Sequence, residues 1–258
     1  MRCGILESLQ FRLSMLFTVV GNLLHLLLLF YLWKAIYASV DTDVVNGLTF
    51  QDTMIYLVFA NALFNFMEMW IVWDMGRSIQ SGEIVVDLLR PMNYISWRFF
   101  MGCGETVVKF LTTFLPTAIV VYFVTKGAIS LGFNILWFAV SVIFSMLINY
   151  FINFCVGVVC MYTNSIWGIN IFKEVVISLL SGATVPLAFF PEHLKKIAMV
   201  LPFQGICNAP MNLLLHADYA ITDCMQILGF QLVWVILLAI FTNVFFRISI
   251  KRITVNGG

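Results

Sequence analysis

Charge is spaced along this chain in a way that leaves long stretches dry. From Gly127 to Phe172 there are 46 residues without one Asp, Glu, Lys, Arg or His. No soluble domain of this size hides such a stretch. A bilayer does, since its hydrocarbon core of about 30 Å takes about 20 apolar residues in a helix rising 1.5 Å per residue. Apolar runs bounded by polar residues predict six spans, at about 13–33, 54–73, 106–125, 131–161, 168–190 and 226–246. Glu68 interrupts the second span and Lys109 lies near the start of the third. Lys173 and Glu174 lie near the start of the fifth, and Gln226 and Gln231 are polar positions of the sixth. The expected fold is all-α: a polytopic integral membrane protein, one transmembrane domain over 1–258.

Composition adds weight and excludes some functions. The chain is 62% hydrophobic and 10% charged, against about 25% charged in ordinary soluble domains. Its mean hydropathy is +0.98. No G-x-x-x-x-G-K-[ST] phosphate loop and no G-x-G-x-x-G after a strand occurs. ATP, if used, binds another chain. Arg2 and Arg12 precede a first apolar run of 21 residues. That is longer than a signal-peptide core of about 7–15 residues, so it reads as a retained helix.

The total charge of +1 says little, but its placement orients the chain. With six spans and an inner N-terminus, ten basic residues fall inside and only Lys34, Lys126, Lys195 and Lys196 outside. Cutting the uncharged run into two spans would move Arg247, Lys251 and Arg252 outside. The excess of Lys and Arg on cytoplasmic loops favours six spans with both termini cytoplasmic. Asp41, Asp43 and Asp52 in the first outer loop agree.

Two polar segments are long for so compact a chain. The inner one runs over about 74–105. Within it Ile84, Val85, Leu88 and Leu89 recur at helical spacing among Glu83, Asp87 and Arg90, and Pro91 stops the helix. This is a short amphipathic helix, to lie on headgroups or to dock a soluble partner. The outer segment, about 191–223, is divided by Pro191, Pro202 and Pro210. Pro191 is placed for a first helical turn, with Glu192 favourable to the dipole, and Leu194, Ile197, Ala198 and Leu201 supply an apolar face. Irregular backbone near lipid must be buried in protein or line a cavity. Short re-entrant or interfacial helices are therefore expected there.

These two blocks carry a family resemblance. Gly82-Glu83-Ile84-Val85-Val86-Asp87-Leu88-Leu89-Arg90-Pro91-Met92 is the first. The second is Ser181-Gly182 with Pro186-Leu187, then Phe190-Pro191-Glu192 with Leu194, then Leu201-Pro202-Phe203 and Pro210. Together they resemble the permease subunits of bacterial ABC exporters of the six-helix, type V class, over essentially the full length. His193 departs from the Trp of many relatives. The resemblance implies a permease of the bacterial inner membrane, paired with an identical or sister permease above two cytosolic ATPase subunits that bind ATP and Mg. It implies that Gly82, Glu83, Asp87, Leu88, Leu89, Arg90 and Pro91 form the ATPase-coupling helix. Pro191, Glu192, Leu194, Pro202, Phe203 and Pro210 would belong to the outer re-entrant region. The amphipathic start at about 5–15 would be an interfacial helix. The pathway would run between two permeases for an apolar or amphipathic substrate: a drug, an antimicrobial peptide or a lipid-like compound. No cofactor is expected on this chain, and no nucleic acid.

Other residues keep two readings each. Glu68 is an intramembrane carboxylate, functional or reaching the headgroups, with Arg77 or Lys109 as partner. Lys173 reads as a snorkelling anchor. His25 lies mid-span among leucines. Asn61 and Asn65, like Asn149 and Asn153, are spaced i,i+4 and share a face that packs or lines a pore. Cys155 and Cys160 read as small apolar side chains, and Cys207 and Cys224 leave a disulfide open. No H-E-x-x-H, G-x-S-x-G or paired-carboxylate arrangement supports an enzyme. The rival is an ATP-independent secondary transporter or channel, whose signs, inverted repeats and broken helices in corresponding halves, do not show in the sequence.

Overall fold

The computed structural model describes residues 12–40, 44–124, 134–163, 166–216 and 219–252. Five stretches among them are helical, long and apolar enough to cross a membrane: Val20–Ala38, Phe50–Ser81, Tyr94–Phe123, Asn134–Val159 and Ile221–Ser249. Most of the predicted interfacial helix at 5–15 lies outside the described residues. Helix α1 (Arg12–Ala38) leads through a two-stranded antiparallel hairpin, β1 (Val44–Val45) and β2 (Leu48–Thr49), into α2 (Phe50–Met67). This hairpin is the one departure from an all-α fold among the described residues. Asn46 and Gly47 both take positive φ at its tip, which is what a two-residue hairpin turn needs. Thr49 and Asp52 then form a capping box that starts α2.

The second predicted span is two helices. α2 ends at Met67 and α3 (Ile71–Ser81) begins after a three-residue break. Residues 74–105, expected as a polar connection, are largely helical. α3 fills the first part, α4 (Ile84–Leu88) follows, and α5 (Tyr94–Lys109) starts well before the expected third span. Asn93 accepts from the amides of Ile95 and Ser96 and fixes that start. α5 passes through a π-helical turn, Phe110–Phe114, into α6 (Leu115–Val124). Pro116 accounts for the wide turn: it has no N–H to give the Thr112 carbonyl.

Helices α7 (Asn134–Val159) and α11 (Ile221–Ser249) match the fourth and sixth spans and pack along each other. The fifth predicted span, 168–190, is one continuous helix only in its first part. Its helix, α8 (Ile166–Leu180), has 15 residues and rises only about 22 Å. It stops because Gly182 adopts φ +83, while the Ser178 carbonyl takes the amides of Ala183 and Thr184. That left-handed cap ends a helix, and Pro186 cannot resume it. The chain returns through a 3-10 turn (Leu187–Phe189), α9 (Glu192–Val200), a second 3-10 turn (Pro202–Gly205) and α10 (Asn208–Leu215).

Two apolar cores result. One, toward the α9 and α10 end, gathers Trp33, Leu57, Leu63, Phe66, Ile148, Ile206 and Met211. The other, toward the α4 end, gathers Met69, Met75, Ile84, Tyr94, Tyr150, Phe154 and Phe246. The boundary falls between Met67 and Met69, at the break between α2 and α3, and between Ile148 and Tyr150 on a single helix. A polar layer occupies that boundary.

Candidate functional site

The α4 end is a short projection. Gly82 caps α3 at φ +77, a backbone value that favours glycine, and turns the chain into α4. Ile84 is the buried anchor. Asp87 also turns inward: its carboxylate pairs with Arg98 at 3.3 Å and with Arg90 at 3.2 Å. Arg98 further donates to the Ser78 hydroxyl at 2.9 Å and the Tyr94 hydroxyl at 3.0 Å. Both Arg90 and Arg98 lie over the Trp97 ring, at 4.4 and 4.9 Å from its centre. Helices α3, α4 and α5 are thereby tied into one block.

What this block presents outward is apolar. Val86 is 64% exposed, Leu89 80% and Met92 58%. Gly82, Glu83, Arg90 and Pro91 are exposed beside them. Val85 and Leu88 are half-buried, so the outward face of the predicted helix is made by Val86, Leu89 and Met92, with Leu88 turned partly in. Met92 had no place in the helical reading because it follows Pro91.

The polar layer begins at the break after α2. Ending a helix frees carbonyls that lipid cannot satisfy. Here side chains supply the donors. Asn149 on α7 donates to the Met67 carbonyl at 2.8 Å. Lys109 on α5 donates to the Glu68 carbonyl at 2.8 Å and pairs with Glu105 at 2.8 Å. Glu68 therefore does not pair with Lys109 through its carboxylate, and Arg77 pairs with Asp74 instead. The Glu68 carboxylate makes no hydrogen bond or ion pair with a described residue.

Lys173 does not snorkel. It is 9% exposed and donates to Asn153 Oδ1 at 2.6 Å and to Asn170 Oδ1 at 3.0 Å. Asn153 donates in turn to the Asn149 carbonyl and side-chain oxygen, and Asn170 donates to Glu174. Phe64, Glu68, Asn149, Asn153, Lys173, Glu174 and Ile177 line a cleft of about 90 Å³ among α2, α7 and α8. Asn61 and Asn65 stay a local pair on α2, with Asn65 donating to Asn61. His25 is exposed on α1 and takes no part.

At the other end the returning segment is built into the protein. The Gly205 carbonyl accepts from Ser145 and from Gln231, both at 2.8 Å, and Ser141 donates to Gln231. The Asn208 amide donates to the Ser181 carbonyl at 3.0 Å, and Trp234 donates to that of Val200 at 3.2 Å. Pro202 and Pro210 are buried and Phe203 packs partly inward. Pro191 precedes α9 as its cap rather than opening its first turn, and Glu192 is exposed. The expected apolar face of α9 is corrected too. Ala198 is fully buried and Leu201 partly so, while Leu194 and Ile197 are exposed. Cys207 and Cys224 are both free and buried, so the open disulfide is not formed.

A family model for the ABC-2 family transporter protein matches residues 23–257. The chain belongs to the ABC-2 transporter family. It is thus a multi-pass membrane component of an ABC transporter, a family that works with a partner ATPase. No curated protein and no solved structure matches it. Within this ABC-2 protein the matched stretch contains the projection, the polar layer and the returning segment alike.

Proposed function

We propose that the chain is the permease subunit of an ATP-driven exporter of a bacterial inner membrane, with the α4 end and both termini cytoplasmic. It pairs with a second permease, identical or sister, and two ATPase subunits dock beneath. ATP and Mg belong to those subunits. The observation that carries this reading is the projection: three large apolar side chains exposed on a block braced by the Asp87 ion pairs with Arg98 and Arg90. Exposed apolar clusters of this kind mark protein contacts. Glu83 and Arg90 at the rim would set the register of a partner groove.

The brace makes the projection a lever. Force applied to Leu89 passes through Asp87 and Arg98 into α3 and α5 together. Both helices are irregular at the far end of that block, at residues 68–70 and 110–114. Phe66 meets Phe110 and Phe114 there, with ring centres 5.6 and 5.4 Å apart. ATP-driven approach of the ATPase subunits would swing this block about that level and open a path between permeases, in the manner of hinge transitions. Substrates would be apolar or amphipathic.

The test is co-purification of the tagged chain from its native membrane in mild detergent. A stoichiometric ATPase is expected with the wild type and absent with Val86→Asp plus Leu89→Asp. Both changes fall on exposed positions, so the permease itself should elute unchanged. If no ATPase accompanies the wild type in any detergent, the exporter reading fails and an ATP-independent transporter or channel takes its place.

A further inference from the structure

We propose that the cleft bounded by Glu68, Lys173 and Glu174 binds the ammonium headgroup of an amphipathic amine. Three features of the cleft point to this ligand. The first is charge. Lys173 directs two donors to Asn153 and Asn170, and its nitrogen lies 3.8 Å from Glu174. Two carboxylates and one ammonium therefore line the space, leaving a net negative wall. The amide oxygens each already accept one bond: Asn149 Oδ1 from Asn153, and the oxygens of Asn153 and Asn170 from Lys173, while Asn170 donates to Glu174. The acceptors left over are carboxylate oxygens, those of Glu68 above all. A primary ammonium brings three N–H donors and one positive charge, matching that surplus.

The second feature is size. About 90 Å³ is far below the several hundred Å³ of a site that encloses a whole drug-sized ligand. It suits a headgroup with its tail outside. Phe64 and Ile177 supply apolar walls beside the carboxylates.

The third is depth. α2 has 18 residues from Phe50 to Met67 and rises about 27 Å. Glu68 therefore lies in the α4 half of the 50–81 stretch. An amphipathic amine entering from that side would place its ammonium at this level and its chain beside α2 and α8. This deepens the exporter reading, on which it rests for the ligand's destination, by naming a substrate class.

The experiment uses the purified chain in lipid nanodiscs without ATPase, so its result is separable from that of co-purification. Binding of dodecylammonium is measured by calorimetry beside dodecanol, dodecanoate and dodecyltrimethylammonium. Dodecylammonium should bind best, with dodecanol and dodecanoate at least roughly tenfold weaker. Trimethylammonium, which keeps the charge but has no N–H, should fall between. Glu68→Gln should weaken dodecylammonium at least roughly tenfold and leave dodecanol unchanged. Glu174→Gln is the second variant should the first not fold. Equal binding of amine and alcohol, no amine binding by folded wild type, or an unchanged affinity in folded Glu68→Gln or Glu174→Gln would overturn the proposal. So would loss of dodecylammonium binding on adding millimolar sodium, which would make the site one for a metal cation.

Discussion

Gly182 shows how much one residue decides. It sits at φ +83, and a Cβ there would lie 2.7 Å from the Tyr56 hydroxyl. Left-handed backbone costs a non-glycine residue about 1–2 kcal/mol, and the close approach adds to it. Gly182→Ala should therefore lower stability by about 2 kcal/mol or more, read as a drop in unfolding temperature in detergent. The Tyr56 hydroxyl is buried with no hydrogen-bond partner among the described residues. Tyr56→Phe alone should be neutral or stabilising, because it removes a buried polar group without orphaning another. Combined with Gly182→Ala it should recover part of the loss, since it removes the clash but not the backbone cost. Gln231 is a contrasting case. Its polarity was visible within an apolar span, yet its partner, the Gly205 carbonyl, lies 26 residues away in sequence. Gln231→Leu should cost about 1–3 kcal/mol, detectable by the same measurement.

At the scale of elements, the apolar runs announced most helices, but not their ends or breaks. α7 and α11 were legible because length and hydropathy alone define them. The extension of α2 into α3 was harder. Ile71, Val72, Met75 and Ile79 do follow helical spacing, but Asp74 and Arg77 among them look like the end of a span. The break at 68–70 carries no Gly or Pro and has no local signature. It is held by donors from other helices, Asn149 and Lys109, on adjacent carbonyls. Asn149→Leu and Lys109→Met should each cost about 1–3 kcal/mol. Together they should cost less than the sum, because neighbours in one network couple. With both donors gone, 50–81 can straighten into one helix that satisfies its own carbonyls. A thermal-unfolding double-mutant cycle in detergent checks this, and strict additivity would count against it. The block at the α4 end was half legible for a related reason. Spacing located the helix, but which side faces out depends on Asp87 reaching Arg98, a contact no periodicity shows.

For the whole molecule, sidedness and the crossing made by α8 with its return are linked. The proposed orientation, which follows the count of basic residues, has the α4 end inside. The chain then enters α8 on the cytoplasmic side at Ile166 and reaches Leu180 after 15 residues, short of the bilayer's full depth. The return through α9 and α10 is tolerable only because Gly205, Val200 and Ser181 find donors within the protein. If this reading holds, Leu89 and Ile197 are exposed on opposite faces of the membrane. Single cysteines there should label oppositely with a membrane-impermeant maleimide. The background needs only Cys3→Ser, since the other cysteines are buried or half-buried. In intact spheroplasts Ile197→Cys should react and Leu89→Cys should not. In inside-out vesicles the order should reverse. Labelling of both from one side would mean that α8 and its return make no net crossing. Reversal of the whole pattern would move the docking block outside the cell, away from any ATPase.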